Sequence, residues 1–182
     1  MAAAEVTADV GATTGTQRPL PAQLPHQIPD FTGRHAELDQ LDALVAGDRE
    51  SVGTSVVITS ISGTAGVGKT ALAVHWAHRI SDEFPDGQLY ANLRGFDPTG
   101  SAMKPAEAIR GFLDAFGVTP QQIPTSLEAQ AALYRSLLAG RRVLVLLDNR
   151  ITKQRYGQVF FDSLPDYGFT TRIADVEKFF DV

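Results

Sequence analysis

Gly63-Thr64-Ala65-Gly66-Val67-Gly68-Lys69-Thr70 fits the pattern G-x-x-x-x-G-K-[ST], a spacing that wraps backbone amides around a chain of phosphates. Glycines at 63, 66 and 68 let those N–H groups approach phosphate oxygens without a Cβ in the way. Lys69 would reach the β- and γ-phosphates as a point charge, and the Thr70 hydroxyl would sit on Mg²⁺. A helix starting here, with Ala71 in its first turn, adds orphan N–H donors and the positive end of a dipole. The chemistry expected is capture of a nucleoside triphosphate or diphosphate with Mg²⁺. The competing reading is a glycine-rich turn that merely leads into a helix.

A second candidate lies downstream. Val143-Leu144-Val145-Leu146-Leu147-Asp148 is an apolar run ending in an acid. An acid at the carboxyl end of a buried parallel strand faces the crevice where α/β sheets bind ligands. Asp148 can there hold Mg²⁺ through water or through Thr70, which makes Lys69 and Asp148 the candidate catalytic pair and Thr70 and Asp148 the candidate metal residues. Asn149 follows, where a carboxylate would orient an attacking water. An amide cannot accept that proton, so slow hydrolysis or none is expected.

These groups need a scaffold. The β-branched stretch 55–61 reads as a strand ahead of the glycine loop, and a helix from about Lys69 to Ile80 buries Leu72, Trp76 and Ile80. Pro85-Asp86-Gly87 is a turn, and 88–93 a second strand. Pro105 opens a helix that Gly117 stops, and another covers about 127–138 before Gly140. A further helical pattern at 36–45 carries Leu38, Leu41 and Val45. Strands alternating with helices predict an α/β fold, a parallel sheet with helices on both faces. His75 and His78, three apart on one helix, lack a third ligand and read as helix-surface histidines rather than a metal pair.

Composition narrows the class. The chain has 182 residues, 43% hydrophobic and 20% charged, which suits one globular domain. A formal charge of −5 argues against broad nucleic-acid binding. With no cysteine there is neither a disulfide nor a thiolate metal site. No run reaches the length of a membrane span and no signal peptide is evident, so a cytoplasmic protein is expected. Residues 1–29 are rich in Ala, Thr, Gly and Pro and predict a disordered or extended linker.

Four ordered motifs carry a resemblance: Phe31-Thr32-Gly33-Arg34-His35-Ala36-Glu37-Leu38, the glycine loop 63–70, Phe84-Pro85-Asp86-Gly87-Gln88-Leu89-Tyr90-Ala91-Asn92-Leu93-Arg94-Gly95-Phe96-Asp97, and the run ending at Asp148. Over about residues 17–150 the chain resembles the NB-ARC ATPase of STAND-class regulators, above all that of SARP-type transcriptional activators of actinobacteria. The resemblance implies a P-loop NTPase-like sheet and a nucleotide-gated switch, closed on ADP and opened, with oligomerisation, by ATP. It implies that Phe31, Thr32, Gly33 and Arg34 lie beside the adenine. The alternative for Arg34 is a surface arginine leading a helix. Residues 30–150 would then be a partial NB-ARC domain, without the downstream domains that normally complete the switch.

After Asn149 the composition shifts to aromatics (Tyr156, Phe160, Phe161, Tyr167, Phe169, Phe179, Phe180) with one alanine, Ala174. Residues 148–182 resemble the C-terminal end of DinG-type DNA helicases, so 151–182 is expected to be a tail of different origin, helical over about 155–163, with the sheet truncated after the Asp148 strand. In the STAND-type sheet another strand separates the loop-bearing strand from the Asp148 strand. Lacking it, the two strands must pair directly or leave a gap. Three functions stay open: a nucleotide-binding regulatory module, an interaction-only or nonfunctional fusion fragment, and a helicase fragment.

Overall fold

The computed structural model describes residues 20–46, 55–61, 68–94, 102–148 and 170–175, with 44–46, 55–61 and 170–175 as backbone alone. The elements are α1 (His35–Ala46), β1 (Ser55–Ile61), α2 (Lys69–Arg79), β2 (Gln88–Asn92), α3 (Pro105–Ala115), α4 (Leu127–Leu138), β3 (Val143–Asp148) and β4 (Thr170–Asp175). Three helix ends have a clear local cause. Pro105 sits at the first turn of α3, where its missing N–H costs nothing. That helix closes with the amide of Val118 donating to Leu113 O across the left-handed Gly117. Ser126 caps α4, its hydroxyl accepting from the Ala129 amide at 3.2 Å.

The strands form one parallel sheet in the order β2-β3-β1-β4. β3 is buried throughout, and its period of two deals its side chains to opposite faces. Val143, Val145 and Leu147 pack with Leu89, Ala91 and Leu93 against α3 and α4, around Phe112, Phe116 and Tyr134. Leu144 and Leu146 face the other way, against Leu72, Trp76 and Ile80 of the α2 region and Leu38 and Leu41 of α1. The molecule is thus an α/β unit with helices on both sheet faces.

The choice left by the sequence is settled by pairing. β1 lies directly beside β3, from Val56 opposite Val143 to Ile61 opposite Asp148, with no strand between them. The sheet does not stop at Asp148 either. β4, from the aromatic-rich tail, pairs along the other edge of β1, with Ser55 opposite Thr170 and Ser60 opposite Asp175. Both edges of the loop-bearing strand therefore find backbone partners, which removes the cost of open amides and carbonyls that a gap would leave. The helix expected over 155–163 falls outside the described residues.

The proline-rich segment is also more than a linker where it is described. Gln88 N donates to Pro21 O at 2.7 Å and Gln23 N to Gln88 O at 2.9 Å, so Ala22 makes an isolated parallel bridge to Gln88 on the outer edge of β2. The chain then leaves β2, and the Nε2 N–H of His78 donates to Pro25 O at 2.8 Å. Residues 1–19 lie outside the described part.

Candidate nucleotide site

The site forms where the start of α2 meets the carboxyl ends of β1 and β3. Gly68 precedes α2 at φ +83°, a left-handed conformation that glycine reaches without strain. A Cβ there would meet nothing within 4 Å, so the backbone angle and not space calls for glycine. Lys69 follows, only 8% exposed, then Thr70, with Ala71 half-buried in the same turn. Gly63, Thr64, Ala65, Gly66 and Val67 lie outside the described residues.

Sheet parity decides what Thr70 meets. Asp148 is even-numbered like Leu144 and Leu146, so its carboxylate emerges on the α2 face, where it is 2% exposed. The Thr70 hydroxyl lies 3.0 Å from Asp148 Oδ1 and 3.1 Å from Oδ2, and donates to this carboxylate. On β2 the same face belongs to Gln88, Tyr90 and Asn92. Tyr90 reaches along the sheet and donates its hydroxyl to Asp148 Oδ2 at 3.1 Å. Burial, then the negative charge of Asp148 and the bond to it, push the Tyr90 hydroxyl above its ordinary pKa, so it stays a donor. A carboxylate so deeply buried requires donors of this kind.

Two backbone amides are bonded beside this centre. Leu93 N donates to Asp148 O at 2.8 Å, and Asn92, opposite Asp148 in register, accepts the Arg94 amide on Oδ1 at 2.9 Å. That local bond accommodates Arg94 at φ +51°.

The 31–34 stretch sits on the same helix. Asp30, Gly33 and Arg34 all have positive φ, folding the chain into a tight loop before α1. The Phe31 ring stacks on His75 of α2, centroids 4.4 Å apart and planes 19° off parallel. Thr32 and Gly33 are exposed. Arg34 O accepts from Leu38 N, and Arg34 Nη1 donates to Glu37 Oε1 at 3.1 Å, so the arginine leads α1. The structure thus brings Phe31 of the 31–34 loop against the helix that carries Lys69 and Thr70, and brings Thr70 and Asp148 into contact.

His75 and His78 are engaged by Phe31 and Pro25, and no group of three His, Cys, Asp or Glu residues able to hold a metal occurs among the described residues. Sequence reasoning missed Tyr90. Its alternation marked a strand but not which strand would lie beside it. No helix among the described residues is long and apolar enough to cross a membrane.

No protein-family model matches the chain. The chain is similar to the "Regulatory protein AfsR" of Streptomyces coelicolor (strain ATCC BAA-471 / A3(2) / M145), 50% identical over 143 residues. It is also similar to the "Regulatory protein AfsR" of Streptomyces griseus, 47% identical over 129 residues. These stretches take in 76% and 71% of this chain but only 14% and 13% of the relatives, so the chain corresponds to a small segment of each. The similarity relates it to regulatory proteins.

Proposed function

We propose that this chain is the nucleotide-binding core of a STAND-type regulator, a P-loop module that takes up ATP or ADP with Mg²⁺ and hydrolyses it slowly or not at all. One observation carries the reading: two residues after the last glycine of the G-x-x-x-x-G-K-T sequence, Thr70 is hydrogen-bonded to the acid that ends an adjacent parallel strand. A glycine-rich turn that only starts a helix has no need of a buried carboxylate at that place.

The donor set suits the cofactor. Thr70 and Asp148 offer oxygen only, the ligand type that Mg²⁺ takes, and a bound Mg²⁺ would supply charge neutralisation for the phosphates. The chain's own part is to bind and hold. Gly68 and the first amides of α2 would face the anion, Lys69 would bring its ammonium, and Asp148 would fix Thr70. Phe31, Thr32, Gly33 and Arg34, held on α2 through His75, would border the base. Asn149 in place of a second acid supports holding over turnover.

A switch needs contacts that differ between two conformations. The Thr70–Asp148 bond spans α2 and β3, so a ligand that changes it acts on how helix and sheet sit together. ATP-dependent self-association and control of transcription are the outputs this reading assigns to such a regulator; direct nucleic-acid contact by these residues is not among them. Isothermal calorimetry of the purified 182-residue chain with ADP and with ATP plus Mg²⁺ tests it. Micromolar affinity that Lys69→Ala abolishes is expected. Affinity unchanged by that substitution would reject the reading.

A further inference from the structure

Asp148 has a hydrogen-bond donor from each side. Thr70 approaches from α2, and Tyr90 from β2. The second is not forced by strand adjacency, since Leu146 and not Asp148 stands opposite Tyr90 in the register and Asn92 takes the place opposite the acid. The tyrosine spans this diagonal because its ring leans along the strand, and only a long side chain reaches so far. A phenylalanine would fill the same half-buried space on the α2 face without the hydroxyl. The hydroxyl is therefore what the position adds.

We propose that Tyr90 is a positioning residue of the metal–nucleotide site, holding the Asp148 carboxylate in the orientation in which it and Thr70 serve Mg²⁺. The inference rests on the nucleotide-binding reading above. Its physical basis is general: partners that hydrogen-bond a metal-binding carboxylate fix its plane, and losing one typically costs about 10–100-fold in metal affinity or activity. With Tyr90 in place, Thr70 keeps a fixed carboxylate to donate to. Without it, the carboxylate loses one of the bonds that fix its rotation about Cβ–Cγ.

The position also gives β2 a route to the site. The same strand receives 21–23 on its outer edge, and Gln23 Oε1 accepts from the Tyr90 amide at 3.4 Å, a long contact. The chain entering the domain thus reaches the residue that steadies Asp148 within one strand.

The test is calorimetry of ATP binding to the full chain and to Tyr90→Phe, each in Mg²⁺ and in EDTA. The quantity read is the ratio of the two dissociation constants, the enhancement due to metal. Tyr90→Phe is expected to lower that enhancement by about tenfold, with metal-free affinity within about twofold of the parent. In an Asp148→Asn background the same substitution should leave the ratio unchanged. A merely structural hydroxyl would weaken both affinities alike, leaving the ratio intact, and that result overturns the proposal. So does an enhancement that rises, since Tyr90 would then be competing with the metal. Absence of ATP binding by the parent chain would overturn the nucleotide reading and this inference together, whereas binding with an unaltered ratio removes only the role of Tyr90.

Discussion

The indole N–H of Trp76 donates to Asp42 Oδ1 at 3.0 Å, joining the buried centre of α2 to the outer helix α1. The other carboxylate oxygen of Asp42 meets Arg79 Nη2 at 2.8 Å, but that arginine side chain is half exposed. The two bonds differ in worth. An exposed ion pair contributes about 0–1 kcal/mol, whereas a buried N–H deprived of its acceptor costs about 1–3 kcal/mol. Asp42→Ala should therefore destabilise by about 2 kcal/mol, and Arg79→Ala by less than about 1 kcal/mol. Trp76 is the chain's one tryptophan, so its fluorescence in urea titrations reads both values directly. Equal losses would mean that the ion pair, and not the indole bond, holds α1.

Thr70→Val keeps the side-chain volume and removes the hydroxyl. Asp148 retains Tyr90 as a donor, so the fold should survive with a loss of about 1 kcal/mol. Metal enhancement of ATP binding is expected to vanish, a larger effect than at Tyr90, because Thr70 is itself a proposed ligand. Calorimetry with and without Mg²⁺ measures it. Full enhancement in Thr70→Val would detach the metal from this residue.

At Gly87 the reason for glycine is twofold. Its φ is +132°, where side chains are strained, and a Cβ would stand 2.7 Å from Pro21 Cδ and 2.9 Å from Pro21 O. Gly87→Ala must therefore push Pro21 from β2 and break the 21–23 pairing. A loss of about 2 kcal/mol or more is expected. Faster hydrogen exchange at the Gln88 and Gln23 amides, with the β3 amides beyond Leu144 (which bonds Gly87 O) unchanged, would locate the damage. Uniform exchange over the sheet would place it elsewhere.

What the sequence made legible follows from where side chains carry the signal. The run 143–147 announced β3 because a strand buried on both faces must be apolar at every position. Pro105, Gly117 and Gly140 marked helix ends through their own backbone chemistry. The pairing of 21–23 with β2 left no such trace, since it is made by main-chain groups that any residue supplies. β4 was hidden for a related reason: Thr170-Thr171-Arg172-Ile173-Ala174-Asp175 lacks the apolar run or clean alternation that makes a strand visible. Thr70 and Asp148 were legible as candidates from motif and position. Tyr90 was not, because its reach to Asp148 depends on β2 lying beside β3, and strand order is a property of the whole sheet.

Tyr134 of α4 stands at the centre of the α3/α4 face, 1% exposed, its ring 5.6 Å from that of Phe112. Its hydroxyl has no hydrogen-bond partner among the described residues. Burial raises its pKa above the ordinary value of 10.0. The folded protein therefore keeps this proton at pH values where the unfolded chain has lost it, so the native state binds more protons above about pH 10. Stability is intact below that pH and falls as pH rises beyond it, by up to about 1.4 kcal/mol per pH unit for this group. Tyr90, raised in the same direction, adds to the decline. Tyr134→Phe removes both the orphaned hydroxyl and its share of the alkaline loss. It should stabilise the protein by about 1 kcal/mol at pH 8, and the margin over the parent should widen between pH 10 and 11. Urea midpoints at the three pH values measure it. A margin that stays constant would mean the Tyr134 hydroxyl ionises in the folded chain as readily as in the unfolded one, and its burial would have to be relieved by local opening of α4.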